Sequence, residues 1–107
     1  MDKEEFHKQY DLFNLGIILE TEIYSEYMLN HYKISINVSI KNGIGTIRVC
    51  NFRNLALHEI IQDIKDHLNK IGLTDFKVSE FGNSIETDAE NIHNLVTIYR
   101  MKGLLPC

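Results

Sequence analysis

Asn42 and Gly43 constrain this chain more than any other two residues, because they fix the register of a β-hairpin. They stand between two alternating runs, Lys33 to Lys41 and Ile44 to Cys50. A two-residue hairpin loop of type I′ needs positive φ at both central residues, and Asn-Gly meets that need at least cost. The turn pairs Lys41 with Ile44, and alternation then sets Val38 opposite Ile47 and Ile36 opposite Val49. Ser35, Asn37 and Ser39 fall on the other face, opposite Cys50, Arg48 and Thr46. One face is apolar and one polar, as in an antiparallel sheet covered on one side.

Around this hairpin the chain reads mostly as helix. Phe6, Tyr10, Phe13 and Ile17 recur at i, i+4, i+7 and i+11, which is one helical stripe. Residues 17–28 admit two readings. As a helix continuing past a kink at Gly16, Tyr24, Tyr27 and Met28 rejoin the stripe and bring Glu20 with them. As a strand, Leu19, Thr21, Ile23, Ser25 and Tyr27 alternate with Glu20, Glu22, Tyr24 and Glu26. The helical reading is preferred. The strand reading would give the order helix, three strands, helix, two strands, helix, which resembles the layout of dimeric secretion chaperones.

After the hairpin, Asn54 is a candidate N-cap. Leu57, Ile60, Ile61, Ile64, Leu68 and Ile71 then form an apolar stripe, and polar residues including Glu59, Asp63 and His67 fill the gaps. Gly72 and Leu73 match the C′ and C″ positions of a Schellman ending, so a helix is predicted over residues 55–71. Phe76 to Phe81 and Ser84 to Thr87 read as a second hairpin turning at Gly82-Asn83, with Lys77 opposite Asp88 and Val78 opposite Thr87. Thr87 and Glu90 have the spacing of a capping box, and Ile92, Leu95, Val96 and Tyr99 supply the buried stripe of a last helix ending at Gly103. The expected fold is therefore α+β within one domain of 107 residues. Two hairpins in ββα-ββα order would build a four- or five-stranded antiparallel sheet, with an N-terminal helix and helices over one face.

Charge is distributed unevenly. Residues 1–32 sum to −5, residues 33–53 to +4, and the whole chain to −4. A basic hairpin beside an acidic segment can neutralise itself within the fold or across a dimer, or offer two surfaces to different partners. The N-terminus is acidic where a secretory leader would be basic, and no apolar run reaches membrane-spanning length. Cys50 and Cys107 make neither a disulfide framework nor a zinc motif, which suits a reducing cytosol. No cofactor is expected.

Motifs that carry catalysis are missing: there is no nucleophile elbow, phosphate loop, dinucleotide fingerprint or His-Glu-x-x-His. Glu59, Asp63 and His67 share a helix face, but three ligands spread over eight residues of helix span roughly 12 Å and do not converge on one ion. Two binding patterns stand out instead. Tyr24, Tyr27 and Met28 crowd beside Glu20, Glu22 and Glu26, and residues 17–32 carry more apolar side chains than one helix face can bury. Tyr and Met are enriched at interface centres, so this segment is a candidate protein-contact site, for a partner or for a second copy in a homodimer. Lys33, Asn37, Lys41, Arg48 and Arg53 form a candidate nucleic-acid surface on the hairpin. Against that alternative stand the acidic total and the lack of aromatics on that face. The leading expectation is a small binding protein such as an inhibitor, immunity-type antidote, chaperone or adaptor. A nucleic-acid module is the alternative, and an enzyme whose site assembles only in the fold is the second.

Overall fold

The computed structural model describes residues 3–27, 35–50, 57–79 and 82–105, without the side chains of 4–6, 24–27 and 57. Its elements are α1 (Lys3–Tyr27), β1 (Ser35–Lys41), β2 (Ile44–Cys50), α2 (Leu57–Lys70), β3 (Lys77–Val78), β4 (Ser84–Asp88) and α3 (Ala89–Met101). The protein is α+β, with three helices and one four-stranded antiparallel sheet in the order β1-β2-β4-β3 among the described residues. No described helix is long and apolar enough to cross a membrane.

The first hairpin has the register that its turn demands. Lys41 pairs with Ile44, Val38 with Ile47 and Ile36 with Val49. Asn42 and Gly43 adopt φ of 53° and 77°, the left-handed pair required by the two-residue loop. Ile36, Val38, Ile47, Val49 and, from β4, Ile85 are buried, whereas Asn37, Ser39, Lys41 and Arg48 are exposed. The sheet thus turns one face to the core.

The second hairpin corrects the sequence expectation by two residues. Lys77 pairs with Glu86 and Val78 with Ile85, and Ser79 N–H donates to Ser84 O. Gly82 N–H donates to Ser79 O, so the chain turns earlier than a tight Gly82-Asn83 loop would make it turn. A two-residue shift keeps every side chain on its expected face, since strand periodicity is two. The capping box does not form either. Pairing between β2 and β4 runs on to Ile44 and Asp88, and Ala89 N–H donates to Gly43 O, which delays the helix by one residue. Asp88 is therefore the N-cap, without a side-chain capping bond. Thr87 instead donates to Asp75 O and accepts from Asn91 Nδ2.

Residues 17–27 are helical, so the strand alternative and the chaperone-like layout that needed it do not apply. α2 ends as its sequence predicts. Gly72 N–H donates to Asn69 O and Leu73 N–H to Leu68 O, the paired bonds of a Schellman ending, with Gly72 at φ 100°. Asn54 lies outside the described residues.

Ile60, Ile61, Ile64 and Leu68 of α2 share one core with Ile92, Leu95, Val96 and Tyr99 of α3 and with the covered sheet face. Two glycines set how closely the layers approach. A Cβ on Gly45 would lie 2.3 Å from Ile92 Cγ1, so β2 leaves the space that α3 fills. A Cβ on Gly16 would lie 2.4 Å from Ile36 O, so α1 rests directly on the backbone of β1.

Candidate functional site

α1 is apolar on two faces, and that decides where the candidate site lies. Its packed face carries Leu15, Leu19 and Ile23, all fully buried, with Gly16 beside them against β1. Positions 36, 38 and 40 of β1 point their backbone groups away from β2, because Lys41 and Ile44 form the hydrogen-bonded pair that closes the hairpin. α1 covers part of this open edge. Glu20 Oε1 accepts Ile36 N–H at 2.5 Å, and Gly16 lets the helix meet Ile36 O. A sheet edge left bare invites pairing with another chain, and a covering helix removes that hazard.

The stripe picked out by spacing is the other face. Tyr10, Phe13 and Ile17 are 49%, 65% and 43% exposed. Both stripes recur at helical spacing, and periodicity alone does not say which one packs. The signal that separates them is Gly16, a small residue between Leu15 and Leu19 where a strand backbone needs room. Large apolar side chains aligned along one exposed helix face mark contact surfaces, whereas single ones carry no such meaning.

Of the six residues expected to make a protein contact, the two with described side chains turn into the fold. Glu20 is half-buried and bonded to β1. Glu22 is half-buried and accepts from Tyr99 OH at 2.8 Å, while His67 Nε2 lies 2.8 Å from the same Oε2. The side chains of Tyr24, Glu26 and Tyr27, and Met28 altogether, lie outside the described residues.

Glu22, His67 and Tyr99 form a polar cluster joining α1, α2 and α3. His67 Nε2 also lies 3.3 Å from Tyr99 OH, and His67 is only 4% exposed. His67 is therefore a core residue and not part of a wet helix face with Glu59 and Asp63. Buried polar groups need partners, and this cluster supplies them where three helices meet. Its members are too far apart in sequence for local spacing to reveal it. Asp63 remains near the surface, and partial burial, then Asp66 and then Glu59, push its carboxyl above the ordinary aspartate range. Among the described residues no three His, Cys, Asp or Glu converge in a way that could hold a metal ion.

The residues of the nucleic-acid alternative are brought together only in part. Asn37 and Arg48 are cross-strand partners on the open sheet face, and Lys41 lies at its turn end, all three exposed. Acids of β4 share that face. Glu86 sits beside Thr46 and reaches Lys77 at 4.0 Å, and Asp88 sits beside Ile44. The face is mixed in charge, which weakens attraction to a polyanion. Lys33 and Arg53 lie outside the described residues, as does Cys107. Cys50 is a half-buried free thiol opposite Ser35.

A hollow of about 530 Å³ lies between α1 and α3, with Leu12, Ile40 and Val96 in its wall alongside His93 and the Asp11–Arg100 ion pair. Comparisons with protein-family models, curated proteins and solved structures give no match to this chain.

Proposed function

We propose that this chain is a small cytosolic binding protein that acts by protein–protein contact, without catalysis, and that the outer face of α1 is its contact surface. One observation carries the reading. Tyr10, Phe13 and Ile17 stand exposed in line on a helix whose opposite face already supplies the core with Leu15, Leu19 and Ile23. A helix that only roofed a sheet would need a single apolar stripe with a polar outer side. Aromatic anchors dominate binding energy where they are buried at the centre of an interface, and Tyr10 and Phe13 are placed for that role. The site therefore begins earlier in α1 than the crowd of residues around Tyr27. Inhibitors, antidotes, chaperones and adaptors all work through such a surface.

A photo-crosslinking residue placed at position 13, in cells of the natural source, tests the reading. The expected result is one discrete crosslinked protein species, absent when the same group replaces Asn69 on the outside of α2. Equal labelling from both positions, or none from position 13, would refute it.

A further inference from the structure

We infer that the hollow between α1 and α3 is a binding site for a small carboxylate with an apolar body. The site lies on the side of α1 turned toward α3, apart from the protein contact on the outer face of that helix. The packed stripe of α1 runs through Leu12, Leu15, Leu19 and Ile23, and the position one turn earlier on the same stripe is Lys8. Leu15, Leu19 and Ile23 are fully buried, Leu12 is half-buried and Lys8 is exposed. β1 changes in the same way along its covered face. Ile36 and Val38 are buried, whereas Ile40 is half-buried. Among the described residues the core therefore ends before its inward positions do. The space left is about 530 Å³, with Leu12, Ile40 and Val96 as its apolar wall. Small-ligand sites have volumes of about 300–1,000 Å³ and lie preferentially between packed elements of this kind.

Charge selects the ligand. Four of the ten described residues lining the hollow are Lys, Arg or His and one is acidic, in a chain that sums to −4. The acid, Asp11, is ion-paired with Arg100, so these two charges cancel and tie α1 to α3. Lys8 on α1 and His93 on α3 remain, and neither side chain has a partner among the described residues. One uncompensated ammonium matches a monoanion. A carboxylate offers two oxygens, to accept from an ammonium and from an imidazole N–H. An apolar body on the same molecule covers Leu12, Ile40 and Val96, and that burial supplies most of the affinity. Inorganic phosphate has more charge than Lys8 balances and nothing to cover the wall. A cationic amphiphile fits the wall but meets Lys8 with like charge.

Titration of the full chain with octanoate, followed by two-dimensional amide NMR, tests this. The expected result is saturable binding below millimolar concentration, with shifts concentrated around Lys8, Leu12, Ile40, His93 and Val96. Acetate, which lacks the body, binds at least roughly 100-fold more weakly. The alcohol 1-octanol, which lacks the charge, binds roughly 10-fold more weakly. Lys8→Gln weakens octanoate at least about 5-fold and His93→Ala at least about 2-fold, and both leave 1-octanol unchanged. That split separates lost charge recognition from a damaged fold, and both positions are exposed. Ile17→Ser, on the outer face of α1, leaves octanoate binding as it is. Absence of saturable shifts, shifts centred on the outer face of α1, or equal affinity for octanoate and 1-octanol overturns the inference. Such a result leaves crosslinking from position 13 untouched, and failure of that crosslinking leaves the hollow untouched.

Discussion

Replacing Gly16 with Ala should destabilise the protein, although the same change in an ordinary helix interior stabilises it. Ala is favoured over Gly by about 1 kcal/mol through helix propensity alone. Here the new methyl would lie 2.4 Å from Ile36 O, a backbone atom on the open edge of β1, in a strand that its alternate residues tie to β2. Relieving that contact moves α1 away from β1 by roughly 1 Å, toward ordinary van der Waals separation. Overpacking of this kind costs about 1–3 kcal/mol. The same movement stretches the Glu20–Ile36 bond, and a hydrogen bond to a charged group contributes about 1.5–3 kcal/mol. Setting these losses against the propensity gain leaves a net destabilisation of about 1.5–5 kcal/mol, the upper end applying where the stretched bond is lost outright. Urea denaturation followed by circular dichroism would show the midpoint falling at unchanged slope. Thr21→Ala, on the exposed side of the same helix, is the control and should gain a few tenths of a kcal/mol. If Gly16→Ala is neutral or more stable than the parent, α1 does not rest on the β1 backbone, and the assignment of its inner and outer faces fails.

Three further outcomes follow from the packing and the polar cluster. Gly45→Ala drives a methyl into Ile92 and should cost about 1–3 kcal/mol, and combined with Ile92→Ala it should cost clearly less than the two separate losses together, as a denaturation cycle would measure. Tyr99→Phe removes the donor to Glu22 from a fully buried ring and should lower unfolding free energy by about 1.5–3 kcal/mol; a loss below a few tenths would mean that the cluster does not tie the helices together. Asp63 holds its proton more tightly folded than unfolded, so its ionisation removes stability as pH rises through the window between the ordinary aspartate value and its raised one. Asp63→Asn should therefore stabilise the protein at neutral pH by about 0.2–0.5 kcal/mol, by removing the cost of partly burying the charge and then the repulsion from Asp66 and Glu59, and the gain should disappear on acidification through that window, read from melts across a pH series.

Local chemistry made part of this fold legible. Asn42-Gly43 sets the β1–β2 register because the turn needs two positive φ angles whatever the rest of the chain does. The end of α2 is equally local, since Gly72 and Leu73 complete a bonding pattern within six residues. Where two local signals compete, legibility falls. Gly82-Asn83 resembles a tight turn, yet the pairing of Lys77 with Glu86 implies a longer loop, and only the facing of the side chains survives. Thr87 and Glu90 have capping spacing, but the sheet ladder reaches past Thr87 and takes its backbone first. Contacts between distant segments left no local trace. His67 looks like any polar residue of an exposed helix face until α1 and α3 bring Glu22 and Tyr99 to it. α1 shows the same limit most clearly. The sequence shows an excess of apolar residues around Tyr24, Tyr27 and Met28, whose side chains lie outside the described residues, but periodicity does not tell that the earlier row of Tyr10, Phe13 and Ile17 is the exposed one.

Oxidative footprinting of Tyr10 and Phe13 most directly probes whether the outer face of α1 is covered when the protein works. Modification in the intact cell would be compared with modification of the purified chain at high dilution, using exposed Met101 as the internal reference. Protection of Tyr10 and Phe13 by several-fold in the cell, with Met101 unchanged, is the expected result. Equal modification of both aromatics in the two settings would contradict a contact there, whatever the partner.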